Sequence, residues 1–131
     1  MATIFERIVA GEIPCHRIWE DEAHLAFLDI NPRVEGHTLV IPKRAHEELF
    51  SMPADAYHRL WDAAREVAAL LKARTGCARV VTTVVGYEVP HVHIHLLPTN
   101  SLADFPFPPV NREAQARLAE TAARLRGETP D

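Results

Sequence analysis

Apolar and polar residues alternate along several short stretches of this chain, a pattern typical of half-buried β-strands. The predicted strands span 16–20 and 24–28, which form a hairpin across Asp21-Glu22, then 37–41, 79–85 and 91–97. A turn is expected at 29–32, because the residue before Pro32 avoids the helical conformation. The last two strands are joined across 86–88, so the first two and the last two predicted strands each form an antiparallel hairpin.

A spacing of three and four residues marks the main helix, predicted over 53–74. Its apolar face consists of Leu60, Ala64, Val67, Ala68 and Leu71. Gly76 is placed to cap its C-terminus. A short helix is predicted over 3–9, and a C-terminal helix over 111–126 begins at Asn111, a good N-cap.

Hairpins with helices set between them predict an α+β fold, an antiparallel sheet with one main helix plus a C-terminal helix. A length of 131 residues predicts one domain spanning 1–131. Its core is expected over 3–98. Residues 99–131 should form an irregular arm, rich in proline at its start, followed by the C-terminal helix.

Composition excludes several classes of protein. The chain is 47% hydrophobic and 24% charged, as ordinary globular proteins are. No apolar run is long enough for a membrane helix, and no signal peptide is recognised. The net charge of −4 disfavours a nucleic-acid-binding surface but leaves room for one nucleotide pocket. Cys15 and Cys77 are far apart in sequence, which argues against a disulfide scaffold and predicts a cytoplasmic location.

Histidine changes this picture, because three of the eight histidines occur within five residues, as His91, His93 and His95. Side chains alternate faces along a strand, so the three share one face and the apolar residues between them share the other. Burying three unpaired imidazoles is costly, so the histidine face should look into a cleft.

Three interpretations of this face compete. The first is a polar sheet face with no function. The second is a zinc or iron site, since imidazole suits these metals. Successive same-face residues stand about 6.8 Å apart, however, and no carboxylate is placed in sequence to complete a ligand set. The third interpretation, nucleophilic and acid–base chemistry on a phosphate, is favoured.

These residues resemble the motif of the histidine triad (HIT) family, His-φ-His-φ-His-φ-φ with φ apolar. The segments 3–14 (TIFERIVAGEIP), 25–32 (LAFLDINP) and 36–44 (GHTLVIPKR) are similar to HIT segments in the same order. The resemblance covers about residues 3 to 98. It implies a nucleotide hydrolase or transferase acting at the α-phosphate, without a cofactor or metal, and a homodimer with two joined sheets.

The resemblance also implies residue roles. His93 would be the nucleophile and form a nucleotidyl-histidine, while His91 and His95 would hydrogen-bond the phosphate oxygens and the leaving group. His37 would orient the triad, and His95 favours hydrolysis because transferase relatives tend to carry Gln there. In the nucleotide pocket, Asp29 would bind the ribose, Gly86 would approach a phosphate, and the base would be lined by Phe5, Ile8, Phe27, Leu28 and Ile30.

Each assignment has a simpler structural alternative. Asp29 can stabilise a turn through its own backbone. The apolar residues Phe5, Ile8 and Phe27 can be ordinary core, and His37 can be structural. Lys43 and Arg44 are better explained as a solvated loop than as phosphate ligands.

The sequence departs from the family pattern in two places. Many relatives carry a Cys-x-x-Cys pair that contributes to a structural zinc site, but these positions are Thr3 and Glu6 here, so no such zinc is expected. Relatives also tend to have Gly-Gln-(Ser/Thr)-Val before the triad, where this chain has Gly86, Tyr87 and Glu88. The Glu88 carboxylate would repel phosphate or bind a cationic leaving group.

The favoured function is therefore hydrolysis of a purine nucleoside 5′-phosphoramidate to the monophosphate. A dinucleoside polyphosphate hydrolase is the first alternative, and a purine-nucleotide-binding module without useful turnover is the second. A metalloenzyme is the remaining alternative. No nucleic-acid or membrane partner is expected. Tyr57 and Trp61 of the main helix are candidate aromatics at a dimer interface.

Overall fold

The computed structural model describes residues 2–128, in which one antiparallel sheet carries helices on both faces. The strands are β1 (Arg17–Glu20), β2 (His24–Leu28), β3 (Thr38–Pro42), β4 (Arg79–Thr83) and β5 (Ile94–Thr99). The helices are α1 (Ile4–Val9), α2 (Ala54–Thr75), α3 (Arg112–Gln115) and α4 (Leu118–Leu125), with short 3-10 turns at Leu49–Ser51 and Leu102–Asp104. This confirms the predicted α+β fold.

The five strands lie in the order β1-β2-β3-β5-β4, and every neighbouring pair is antiparallel. The strand that follows the histidines, β5, therefore has a partner on each side. Pairing with β3 ends at Leu96, whereas pairing with β4 continues to Thr99. Pro98, expected in the arm, lies within β5 at a point where the strand has one partner only, which tolerates its missing N–H group.

The two faces of the sheet have different cores. On one face α2 packs Leu60, Ala64 and Val67 against alternate strand residues such as Val40 and Ile94. On the other face α1 packs its buried side chains against β2 and β3, in a cluster consisting of Phe5, Ile8, Leu25, Phe27, Leu39 and Ile41. The histidine cluster described below lies on the α1 face of the sheet, because Phe5 contacts two of its rings.

Helix ends follow local chemistry. Thr3 caps α1 by accepting a hydrogen bond from the Glu6 N–H at 3.0 Å, and the Glu6 carboxylate accepts one from the Thr3 N–H at 3.0 Å. This reciprocal pair is a capping box. The predicted C-cap Gly76 ends α2 in the left-handed conformation, with φ of 69°. At 22 residues, α2 is the main helix, and no helix among residues 2–128 is both long and apolar enough to cross a membrane.

Gly36 occupies a position that only glycine fits. Its φ is +87°, and a Cβ atom there would stand 3.0 Å from Cγ of Pro98. The neighbouring proline ring cannot move far, because Pro98 is buried within β5. The turn at Gly36 thereby brings the start of β3, and with it His37, close against β5.

Three predicted elements differ from the observed ones. The expected strand 91–97 begins only at Ile94, because His91 is held by side-chain contacts described below, and the expected strand 79–85 ends at Thr83. The expected helix 111–126 is broken at Arg117, whose φ of −124° is not helical. Asn111 does cap its first part, by accepting from the Ala114 N–H. Residues 106–120 are all exposed, so no burial stabilises one continuous helix.

Candidate active site

His93 lies one residue before β5, and its Nδ1 atom lies 2.8 Å from the main-chain oxygen of His91. A carbonyl oxygen only accepts hydrogen bonds, so Nδ1 carries a proton and donates it. In the neutral ring, Nε2 is then the unprotonated nitrogen with a free lone pair. The edge-on Phe5 ring, 4.9 Å away between centroids, packs against this imidazole and restricts its orientation.

His91 is fully buried, and both of its ring nitrogens bond to protein atoms. Nε2 donates to the Pro42 oxygen at 2.8 Å, and Nδ1 accepts from the Thr3 hydroxyl at 2.8 Å. The main-chain N–H of His91 donates to the Val89 oxygen at 2.8 Å. The resemblance placed this histidine on the phosphate. Neither ring nitrogen of His91 is free here, and His91 contacts His93 through its carbonyl oxygen, so its expected role on the phosphate stays a prediction.

His95 and His37 form a directed pair. The Arg33 N–H donates to His37 Nδ1 at 3.1 Å, which leaves the proton of the neutral His37 ring on Nε2. That Nε2 lies 2.9 Å from His95 Nδ1 and donates to it. His95 must then carry its own proton on Nε2. The histidines therefore differ in tautomer: His93 has a lone pair on Nε2, whereas His95 has an N–H there.

Asp29 joins this pair. One carboxylate oxygen accepts from the Asn31 N–H at 2.8 Å, which is the turn interaction anticipated as its structural alternative. The other oxygen lies 3.6 Å from His37 Nε2. Asp29 is thus tied to its own turn and faces the histidines as well.

One potential metal-ligand atom from each of Asp29, His37 and His95 lies within 4.8 Å of the other two. The carboxylate that no sequence pattern placed beside the histidines is therefore present. The hydrogen bonds still do not fit a metal. His37 Nε2 carries a proton, and its 2.9 Å separation from His95 Nδ1 is shorter than the ~3.3 Å expected between two nitrogens on one tetrahedral zinc. His37 and His95 are joined by a hydrogen bond, and the Asp29 carboxylate lies beside this pair at 3.6 Å without a hydrogen bond to it.

The structural zinc site of many relatives does not fit this chain either. Thr3 and Glu6, which replace its two cysteines, use their side chains to cap α1. The Thr3 hydroxyl also occupies His91 Nδ1. A neutral hydroxyl is not among the usual zinc ligands, so hydrogen bonds hold together this junction of α1 and the histidine segment.

Burial keeps three of the site histidines neutral. Desolvation is the main cause that lowers the pKa of His91, His37 and His95. For His95 the pKa falls from 6.5 to about 4, because electrostatic repulsion from the nearby His93 and His37 rings adds to the effect of burial. The Asp29 carboxylate acts in the opposite direction on the pKa of His37 and His95 but does not outweigh burial.

The residues expected to line the base divide into two groups. Phe5, Ile8 and Phe27 are buried in the α1 core, where Phe5 also contacts the His91 and His93 rings. Leu28 is half-buried, and Ile30 is 80% exposed. Only the second group presents a free apolar surface beside Asp29.

The segment before the triad contributes to a groove beside α2. Gly86, with φ of 84°, and Tyr87 line a groove of about 680 Å³ together with Phe50, Trp61 and Val85, which we call the Trp61 groove. Glu88 is exposed. Lys43 pairs with Glu20 at 2.6 Å, which agrees with its assignment to a loop outside the phosphate site.

Sequence reasoning missed three contributors to the site: the Thr3 hydroxyl, the Arg33 N–H and the Pro42 carbonyl. A signal existed for the first, because Thr-x-x-Glu before an apolar run is the capping-box pattern. No residue pattern identifies the other two, because main-chain groups are common to nearly every residue and only the fold brings them to the histidines.

Comparison with known proteins identifies the family of this chain. The HIT domain model matches residues 10–102. An uncharacterised HIT-like protein of Methanocaldococcus jannaschii is 41% identical over 99 residues, covering 72% of this chain and 77% of that protein. A HIT family member from Bacillus subtilis superimposes with a TM-score of 0.80 at 26% identity and covers 100% of this chain and 99% of its own.

A structure described as a HIT family hydrolase, from Legionella pneumophila, superimposes with a TM-score of 0.69 at 29% identity. It covers 80% of this chain and 98% of its own chain. The match of the domain model over most of the chain, the identity to curated relatives and the shared fold all lead to one assignment. This chain belongs to the HIT family.

Proposed function

We propose that this protein is a nucleotide hydrolase that attacks the α-phosphate with His93 and forms a nucleotidyl-histidine intermediate. One observation carries the proposal: the His93 Nδ1 proton is donated to the His91 oxygen at 2.8 Å, which leaves Nε2 as a nucleophile with a fixed direction. Covalent catalysis of this kind divides one difficult displacement into two easier ones. The likeness to a HIT family hydrolase supports the same reaction class.

The pair of His37 and His95 supplies a directed hydrogen bond in this scheme, because a neutral imidazole is too weak an acid to protonate an amine. His93 Nε2 bonds to phosphorus, the bond from phosphorus to the leaving amine breaks, the amine departs with the proton of the N-protonated substrate, and His95 Nε2–H donates to a phosphate oxygen. Water then attacks the nucleotidyl-histidine, the bond from phosphorus to His93 Nε2 breaks, the water proton passes to solvent, and the monophosphate departs. The His93 and His95 rings are 5.0 Å apart between centroids, so both can reach one phosphate.

The nucleoside is assigned to the loop beyond β2. Ile30 is exposed beside Asp29, and Leu28 is half-buried next to it. A purine can stack on this apolar surface while the Asp29 carboxylate accepts hydrogen bonds from the ribose hydroxyls. Phe5, Ile8 and Phe27 would then support the pocket from the core without touching the base.

The leaving group is proposed to be small and uncharged or cationic. Glu88 is exposed, and among residues 2–128 it forms no ion pair that would neutralise it. We assign Glu88 to the leaving-group side because it lies three residues before His91, and its charge there would repel a second polyphosphate chain. This favours a purine nucleoside 5′-phosphoramidate over a dinucleoside polyphosphate.

We expect adenosine 5′-phosphoramidate to release AMP faster than diadenosine tetraphosphate does, because only the second substrate brings more phosphate past Glu88. Initial rates of AMP release, measured side by side by chromatography, test this order. Glu88→Gln is the matched variant, and it should narrow the difference. Faster cleavage of the tetraphosphate would replace the proposed substrate by the alternative, and AMP binding without turnover of either would leave a binding module.

We further propose that the protein is a homodimer that buries the Trp61 groove. The groove lies beside β4, an edge strand of the sheet, and exposes Phe50 at 82% and Tyr87 at 96%. The Trp61 indole N–H is buried without an acceptor among the described residues. A second copy can pair with the open edge, cover the apolar side chains and supply that acceptor.

Val85→Glu should weaken this dimer, because it places a charge in the groove. Val110→Glu is a matched control, since Val85 and Val110 are 59% and 61% exposed but only Val85 lines the groove. Sedimentation velocity should show a dimer for the native protein and the control, and a shift to monomer for Val85→Glu. A monomeric native protein, or an unaffected Val85→Glu dimer, would refute the proposed interface.

A further inference from the structure

Thr3 is connected to the proposed nucleophile through His91, which forms a hydrogen bond with Thr3 by its ring and another with His93 by its carbonyl oxygen. Its hydroxyl oxygen accepts from the Glu6 N–H at 3.0 Å and lies 2.8 Å from His91 Nδ1. The His91 oxygen in turn accepts from His93 Nδ1 at 2.8 Å. Thr3 and His91 are 88 positions apart in the chain, so these hydrogen bonds join α1 to the segment that precedes β5.

The direction of each bond follows from the donors available. The Pro42 oxygen can only accept, so His91 donates from Nε2, and its Nδ1 must accept. Among residues 2–128, the Thr3 hydroxyl is the only group at Nδ1 with a proton to give, and its own oxygen is satisfied by the Glu6 N–H. Thr3 therefore acts as an acceptor towards α1 and as a donor towards His91.

We propose that Thr3 is a positioning residue of the active site: its hydroxyl proton holds His91 as a neutral ring with the proton on Nε2, and so fixes the carbonyl that orients His93. Without this donor, a fully buried lone pair would be unsatisfied, and the ring could improve its bonding only by moving or by taking up a second proton. A doubly protonated His91 would oppose the positive charge that His93 develops when Nε2 bonds to phosphorus.

The kinetic part of this inference rests on the proposed function, whereas its spectroscopic part does not. The two roles of Thr3, helix cap and proton donor, are separated by Thr3→Asp. Aspartate caps a helix as well as threonine does, but its carboxylate has no proton to donate at neutral pH. The other charged or titratable groups that face His91, which are Glu6, His46 and His93, are unchanged in this variant.

The experiment records the ¹⁵N resonances of the histidine rings at pH 7, together with kcat, KM and Tm. We expect one proton on the His91 ring of the native protein, on Nε2, and two on the ring of Thr3→Asp. The kcat of Thr3→Asp should fall by about tenfold or more with little change in KM, because a doubly protonated His91 opposes the positive charge that His93 develops only in the chemical step. Thr3→Val should shift the His91 Nδ1 resonance, and Thr3→Ser should restore both the resonance and kcat.

Asn111→Ala is the control for capping alone, since Asn111 caps α3 by accepting from the Ala114 N–H at 2.9 Å, outside the histidine site. It should leave every histidine resonance unchanged. A singly protonated His91 and an unchanged kcat in Thr3→Asp would overturn the inference and leave Thr3 as a cap. If Thr3→Asp does not fold, Thr3→Val and Thr3→Ser decide through the Nδ1 resonance. If the native protein cleaves no nucleotide, the proposed function fails while the ring protonation still tests Thr3.

Discussion

Replacement of His93 by alanine should lower AMP release from adenosine 5′-phosphoramidate by at least ~10³-fold, because the variant has no nucleophile to form the intermediate. No other ring nitrogen can substitute. Both nitrogens of His91 bond to protein atoms, and the remaining nitrogen of His95 carries a proton. Rates of AMP release for the native protein and the variant measure the loss.

A matched histidine shows whether the effect is specific. His16 is exposed and lies outside the histidine cluster, so His16→Ala should retain full activity. Rapid quench into denaturing alkali should trap a nucleotide adduct on native protein and none on His93→Ala, because acid would hydrolyse the bond between phosphorus and the histidine nitrogen. Retention of more than a tenth of the native rate by His93→Ala, with AMP still released, would show that another group attacks phosphorus.

Mild acid should destabilise this protein strongly, with the midpoint of urea unfolding falling between pH 6.5 and pH 4. The pKa of His95 is lowered from 6.5 to about 4 in the fold, so within this window the unfolded chain binds a proton that the folded chain does not. The free energy of unfolding therefore decreases as pH falls, by at most about 1.4 kcal/mol per pH unit for each such group. His95 alone would cost on the order of 3 kcal/mol by pH 4, and the lowered pKa of His37 and of His91 adds in the same direction.

The size of this loss matters because domains are typically stable by only about 5–15 kcal/mol. His95→Gln is the matched variant: it removes one titrating ring, and its stability should depend less steeply on pH. Urea unfolding followed by fluorescence at several pH values measures both slopes. Equal slopes for the variant and the native protein would show that His95 is not held neutral in the fold.

Local patterns in the sequence were enough to predict most of the sheet. The hairpin across Asp21-Glu22, the main helix and its cap at Gly76 all follow from residue spacing and turn chemistry, and all are confirmed. The C-terminal helix was wrong in extent, because an apolar periodicity without a surface to pack against does not hold a helix through Arg117. Organisation as one domain over 1–131 and the cytoplasmic location stay predictions.

The candidate site was predictable as a set of residues but not as a set of contacts. Alternation along a strand predicted that His91, His93 and His95 would share one face, but it gave no sign that both ring nitrogens of His91 would bond to protein atoms. Its ring turns into the protein because Thr3 and Pro42 offer it partners, and both lie far away in sequence. Tautomers likewise depend on main-chain groups such as the Arg33 N–H, which no composition or spacing reveals.

The place of β5 in the strand order also bears on how the molecule is assembled. Both neighbours of β5 precede it in the chain, so until it inserts, β3 and β4 each present an unpaired edge to solvent. A chain still in synthesis therefore carries two open edges of the kind that promote aggregation, until the triad and the strand behind it have been made. The strand that closes the sheet directly follows the proposed nucleophile, so His93 reaches its place only when the sheet closes.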